Sequence, residues 1–507
     1  VLHKPRGTIH PRVQAVRPER FAVLCVDCAK VRSKVMLADF YGQVLIEPAT
    51  VEHDQAGFDT AVQRVRHAVA RHGIEDMVVV VERTGRYHRP IQRAFTMAGY
   101  EVRLIHPFAT KQFRQPADPG NKTDNTDLSA MHRAAVSGFG LLEHEPDPLF
   151  VRLQLLARHR RSLVQSKVVI QQRMLEHLHA SMPGYSKCFA DVFDSPIVLW
   201  VASHIGSARG IMQAGVVGLI DQLQKAGIRK HTPTVEKIVA WARGAPVPEE
   251  QASLHNRFFL DLDADRVSKL RSIRMLEGDM AEHLVQTPYV LLLGIPGIGV
   301  VSAAEFAGEA GPILRYPKAR SISGRAGLYP ARYQSDQVDH CNGALVRNAN
   351  RDLRRAIMII AENLLVCNNH FRVLAASWRL RGKDPRDICV KAAGRFCRIA
   401  YQMVAGRQTY QHPCAKDRDY VLGKLIRFCH EHDTAAEPLK RNLEAAVGQL
   451  PQTAHAEEAA SLVEELAQVR KQRGAGPQLL SKILPDVLAK LGVSLVTSHE
   501  SGESDPT

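Results

Sequence analysis

Short apolar blocks alternate with polar turns over the first hundred residues. FAVLCVD (21–27), SKVMLADF (33–40) and GQVLIEP (42–48) are β-branched runs separated by Lys/Arg or Tyr-Gly turns, which predicts an antiparallel meander of three strands. An amphipathic stretch over 58–72 predicts a helix, MVVVV (77–81) a buried strand, IQRAFTMAG (91–99) another helix and EVRLIH (101–106) another strand. Beyond residue 149 the period changes. Leu149, Leu156, Leu163 and Ile170 recur every seven residues, with Leu153 and Met174 between them, a coiled-coil seam on which Arg160 and Lys167 also fall. A second stripe (Val267, Leu270, Ile273, Met280, Leu284) has the spacing of a returning partner, so a long helical hairpin is expected. The material between, about 183–255, is punctuated by prolines and reads as helices joined by loops.

These patterns divide the chain into a basic N-terminal arm (1–20), an α/β domain (21–145), the helical hairpin (146–287), a compact helical domain (288–407) and a helical extension (408–507). The extension carries an acidic patch (Glu457, Glu458, Glu464, Glu465) and a polar end. With 507 residues the chain has room for about three domains. Hydrophobic residues at 45% and charged residues at 23% exclude wholesale disorder. A net charge of +15 favours a polyanionic partner such as nucleic acid. Nine cysteines, an odd number, do not form a disulfide framework and point to a reducing cytoplasm. The first twenty residues lack the apolar core of a secretory signal. Tyr289–Ala304 is too short to cross a bilayer and is broken by Gly294, Pro296, Gly297 and Gly299, so a soluble protein without a membrane partner is expected.

Four acids stand out. Asp27 interrupts an apolar strand, Glu82 ends the MVVVV strand, and KTDNTD supplies Asp124 and Asp127 three residues apart, on one face of a helix. Singly, each has an ordinary reading: a satisfied strand acid, or a helix-dipole pair with Thr123 or Asp124 as cap. Gathered together they would repel, by about 4 kcal/mol per pair about 4 Å apart at an effective dielectric of about 20, and would call for a cation. Oxygen-only ligands suit Mg²⁺ or Mn²⁺, and two such ions can clamp both oxygens of a phosphodiester displacement. GIPGIG (294–299) is a helix-hairpin-helix word whose Gly297 and Gly299 permit a phosphate-holding turn. Arg347, Arg351, Arg354 and Arg355 flank a helix whose Leu353, Ile357, Ile360 and Leu364 face the core, and Arg379–Arg398 extends the basic stretch. Cys25-Val-Asp-Cys28 lies on a strand without a second CxxC, and the Cys-His-Glu-His of 429–432 reads as a surface turn.

Three hairpin strands followed by alternating helices and strands resemble the ribonuclease-H topology. The blocks VDCAK (26–30), VERTGRYH (81–88), HPFATKQFR (106–114) and KTDNTD (122–127) resemble those of the DEDD insertion-sequence transposases. That is the insertion-sequence one-ten family, whose first domain is similar to the Holliday-junction resolvase RuvC. LLLGIPGIGVVSAAEFAGEAG (291–311) and GRAGLYPARYQSD (324–336), with GALVRNANRDLRRAIMIIA (343–361), resemble the family's second, mainly α transposase domain. The resemblance implies a metal tetrad of Asp27, Glu82, Asp124 and Asp127, with Lys30 and Lys122 in the same blocks on the nucleic acid. It also implies a nucleophilic Ser335, whose hydroxyl attacks a DNA phosphate. The family's Gln-Ser-Gly word stands here as Gln334-Ser335-Asp336, which sets a negative charge beside that hydroxyl. The implied partners are double-stranded DNA, a non-coding bridge RNA and further copies of the chain. The competing functions are a hydrolytic junction nuclease that dispenses with Ser335, and a nucleic-acid-binding protein without catalysis.

Overall fold

The computed structural model describes residues 9–115, 120, 122–142, 147–335, 338–340, 343–347, 349–408 and 418–451. The chain divides into two compact units, at Pro146/Asp147.

In the first unit the predicted meander forms: β1 (Phe21–Cys28), β2 (Arg32–Asp39) and β3 (Val44–Glu52) pair antiparallel. On the other side of β1 lies the parallel strand β4 (Asp76–Glu82), then β5 (Val102–Ile105), also parallel, and the two-residue β6 (Leu141–Leu142). The order is β3-β2-β1-β4-β5-β6. Helices α1 (His10–Val16), α2 (Gln55–Arg71), α3 (His88–Met97), α4 (Pro107–Arg114) and α5 (Asp124–Val136) complete the unit.

Strand alternation sorts the side chains into two cores. Ala22, Leu24 and Val26 of β1 and Val79 and Val81 of β4 pack with Phe58 and Val65 of α2 and Ile91 and Phe95 of α3. Phe21, Val23, Cys25, Val78 and Val80 face the other way and pack with Leu128, Met131 and Ala135 of α5. Both faces of the central strands are covered, which is why they read as unbroken apolar runs. The N-terminal arm differs from expectation over its described part. Residues 10–16 are helical, Ile9 and Val13 are buried in the α5-side core, and Arg12 donates from Nε to Asp76 Oδ2 at 2.8 Å, so this segment is a layer of the unit.

The second unit opens with α6 (Pro148–Ser181), followed by α7 (Pro196–His204), α8 (Ala208–Lys225), α9 (Thr232–Arg243) and α10 (Ala252–Leu284). α6 and α10 pack against one another. The seam is tightest at its two ends. Phe150, Leu153 and Ala157 are buried at the base, and Met174 and Leu178 at the tip among residues of α7, α8 and α9. Leu156, Leu163 and Ile170 are only half-buried, because two helices alone cannot enclose a stripe. The interrupting Arg160 has a partner: Nε donates to Glu277 Oε1 of α10 at 2.7 Å.

The remaining helices are α11 (Val300–Ala310), α12 (Ala319–Arg325), α13 (Arg351–Cys367), α14 (Asn369–Leu380), α15 (Pro385–Gly406), α16 (Arg418–Glu431) and α17 (Ala436–Gln449). One apolar core unites them with the base of α6, and it includes Val421, Leu425 and Leu439 from beyond residue 408. α11 crosses α6 at Gly308, where an added Cβ would come within 2.6 Å of the backbone nitrogen of Gln154. Two arginines of α6 anchor the crossing, and a third ties α6 to α13. Arg158 donates to Glu309 Oε1 at 2.7 Å and Oε2 at 2.9 Å, Arg161 pairs with Asp352 at the start of α13, and Arg160 reaches Glu305 at 3.4 Å. Between α12 and α13 lies a two-stranded hairpin of β7 (Tyr333–Ser335) and β8 (Val338–His340). The acidic patch of the extension lies outside the described residues.

Candidate active site and nucleic-acid interface

Asp27 is the last inward position of β1 on the α5 side, two residues beyond Cys25. The parallel register Val26↔Val81 sets Glu82 beside it, two residues beyond Val80, on the same face. α5 begins at that level. Thr123 caps it by accepting from the Thr126 amide at 3.2 Å, while the Thr123 amide donates to Thr126 Oγ1 at 2.9 Å. The cap fixes the first turn, with Asp124 exposed and Asp127 buried beneath it. Two strand ends and one helix start thus bring the four predicted acids into one region.

Their electrostatics show the proximity. Burial pushes the Asp27 carboxyl up to about 6, and the negative charges of Glu82, Asp127 and Asp124 push the same way, in that order, against the opposing charge of Lys122. Lys30 is exposed two residues past the strand. Two cations escaped the sequence analysis. Arg114, the last residue of α4, pairs through Nη1 with Asp127, both side chains being nearly buried. Lys34, opposite Asp27 in the β1–β2 register, stands 3.6 Å from Asp124 Oδ2 and donates to Asn125 Oδ1 at 3.1 Å. Counting across the β1–β2 turn would have found Lys34. Arg114 closes the HPFATKQFR block, but nothing in its spacing assigns it a partner.

Among the described residues no three His, Cys, Asp or Glu side chains stand close enough to enclose a metal ion. The chemistry of the donor set nonetheless suits a hard divalent cation: carboxylate oxygens only, with the Asp27 carboxyl raised by burial first and by the charges of the other three acids after it. Cys25 and Cys28 face opposite cores, and burial raises both thiols, Cys28 to about 12. Cys429 is buried, and His432 Nε2 hydrogen-bonds with Glu277 Oε2 at 2.9 Å.

In the second unit Ser335 ends β7, its backbone paired with Val338 of β8, and Asp336 lies outside the described residues. The predicted basic positions divide by role. Arg347, Arg351 and Arg355 are exposed. Arg354 is turned inward: Nε donates to Ala326 O at 2.8 Å and Nη2 to Val346 O, holding the chain that leaves the β7–β8 hairpin. Arg379, Arg381, Lys383, Arg386, Lys391 and Arg398 are exposed, and Arg395 is half-buried. The GIPGIG turn follows a 3-10 segment (Pro288–Gly294) and leads into α11, with Gly297 at φ +101° against α13. Gly299 is exposed, and its amide donates to Ser302 Oγ at 3.0 Å. No helix among the described residues is long and apolar enough to cross a membrane.

An acid-bearing mixed sheet followed by a helical unit with exposed arginines fits a transposase, and comparison with known families agrees. The model for DEDD transposases of the IS110 type matches residues 24–183, and that of the transposase IS116/IS110/IS902 family matches residues 289–375. Over these two segments the chain is similar to insertion-sequence transposases. It is 22% identical over 322 residues to the insertion element IS110 uncharacterized 43.6 kDa protein of Streptomyces coelicolor, covering 62% of this chain and 78% of that one. It is 21% identical over 309 residues to the insertion element IS116 uncharacterized 44.8 kDa protein of Streptomyces clavuligerus, covering 60% and 75%.

Proposed function

We propose that this chain is a transposase that cuts and rejoins DNA, with Asp27, Glu82, Asp124 and Asp127 holding Mg²⁺ or Mn²⁺ and Ser335 as nucleophile. The observation that carries the reading is the Asp27 carboxyl, which feels the charge of all three other acids at once. When bound, the ion would offset the negative charge that develops on the phosphate oxygens. The Ser335 Oγ–phosphorus bond would form as one DNA ester bond breaks, the serine proton leaving to solvent or base and the released DNA oxygen taking up a proton. The phosphoserine link would keep the ester energy for rejoining. The strand order β3-β2-β1-β4-β5, with acids at the ends of β1 and β4, supports a ribonuclease-H-like, RuvC-like reading of the first unit. Gly297, Gly299, Arg347, Arg351 and Arg355, with Lys30 and Lys122 near the acids, are the positions we assign to nucleic acid, while Arg354 acts by holding the serine-bearing segment. A guiding bridge RNA and assembly into a homo-oligomer, with the hairpin as contact element, are parts of the same proposal, supported by the +15 charge and the half-buried seam.

The test is incubation of the full chain with flanking DNA and Mg²⁺, followed by a search for a protein–DNA adduct mapped to Ser335. Ser335→Ala should abolish adduct and strand transfer, and Asp27→Asn should abolish cleavage with DNA binding retained. A Ser335→Ala protein that cuts normally would refute the nucleophile and leave a hydrolytic nuclease. Binding without product in either metal would leave a non-catalytic protein. Site choice undiminished by nuclease treatment would remove the RNA.

A further inference from the structure

The GIPGIG turn is wired to a helix about 130 residues downstream. The Lys424 ammonium of α16 donates to Leu293 O at 2.9 Å, Ile295 O at 3.3 Å and Ile298 O at 2.7 Å. Neighbouring tertiary contacts hold the same turn: Asn368 Nδ2 donates to Pro296 O at 3.2 Å, and Val421 and Leu425, one helical turn or less from Lys424, are buried in the core that contains Leu291, Leu292 and Leu293. The ammonium also lies 4.9 Å from the centroid of the Tyr420 ring.

Three carbonyl dipoles aimed at one point make a spot of concentrated negative potential. It is reached because the carbonyl of Leu293 leaves the end of a 3-10 segment and Gly297, at φ +101°, folds the chain back. A half-buried spot of this kind calls for positive charge as well as hydrogen-bond donors, since carbonyl cages bind bare cations in place of their hydration shells. An ammonium satisfies both needs, having three N–H groups for three acceptors on a compact charge. Its radius is close to that of K⁺. The aromatic face beside it adds attraction for any cation.

We propose that the carbonyls of Leu293, Ile295 and Ile298 form a monovalent-cation position inside the GIPGIG turn, filled in this chain by the Lys424 ammonium. α16 is then a working part of the turn and not an appendage to the helical unit. The turn keeps its shape without drawing an ion from solution.

The experiment compares melting of the full chain in potassium chloride and in choline chloride at equal ionic strength, since choline is too large for the position. Wild type should melt at the same temperature in both. Lys424→Met should melt about 5 °C lower in choline and recover about half of that in K⁺. An equal loss in the two salts, or no loss in either, would overturn the proposal. Lys424→Gln, which keeps two N–H donors without charge, is read in the same salts and serves if Lys424→Met does not fold. Partial loss in choline with recovery in K⁺ supports the cation position. Full stability in choline, or a loss that K⁺ does not relieve, overturns it.

Discussion

Replacing Asp27 with Asn should make the metal-free protein more stable while removing its cleavage activity. The Asp27 carboxyl is displaced from 3.8 to about 6 by burial first and by Glu82, Asp127 and Asp124 after it. At about 1.36 kcal/mol per pH unit, keeping it ionised above pH 6 costs up to roughly 3 kcal/mol. The residue is only partly buried, so solvent screening reduces this to roughly 1–2 kcal/mol. The sign follows from proton counts. Between about pH 4 and pH 6 the folded state holds the proton that the unfolded state has lost, so this contribution to stability falls as pH rises and is gone above about pH 6. Asn carries no such penalty. Urea unfolding in a chelator should therefore show Asp27→Asn ahead of wild type at about pH 7.5, with the advantage shrinking by roughly 1 kcal/mol at about pH 5. Added Mg²⁺ should narrow the gap from the wild-type side. If Asp27→Asn is less stable at the higher pH, or its advantage does not depend on pH, the acids do not share one field and the reasoning fails.

Other consequences are open to direct measurement. Arg114→Gln leaves the buried Asp127 carboxylate without its guanidinium; it should lower stability by about 2–3 kcal/mol in chelator and strengthen Mg²⁺ binding seen by calorimetry, because a competing cation has gone. Gly308→Ala should cost several kcal/mol, about 3 or more, since its methyl would strike the backbone of Leu153 and Gln154 and cannot be relieved by a rotamer; denaturant unfolding reads this. Glu309→Gln, at a fully buried side chain bonded to Arg158, should destabilise by about 2–4 kcal/mol. Arg355→Ala should reduce the salt slope of DNA binding by about 1, whereas Arg354→Ala should lower stability first.

The architecture of the first unit was legible because its strands are short, β-branched and bounded by turns, and because the acids break apolar runs where burial alone would exclude them. The α5 pair was legible for a similar reason: Thr123 and the i,i+3 spacing of Asp124 and Asp127 describe a helix start without reference to the rest of the fold. Arg160, which interrupts the heptads of α6, is answered by Glu277 and Glu305, residues to which no heptad count points. What stayed hidden depends on contacts between distant segments. Arg114 meets Asp127 only because α4 packs on α5, and Lys424 meets the GIPGIG turn only because α16 folds back on the 3-10 segment before it. Periodicity reports which face of an element is buried, and is silent on which neighbour buries it.

The two-sided sheet also limits how the gene can change. Successive residues of β1 serve opposite cores, so deleting or inserting a single codon upstream within the strand would swap every inward residue for its neighbour. Cys28 would then turn toward α5, and the Asp27 carboxylate would turn into the opposite core, beside Val35 and Val81.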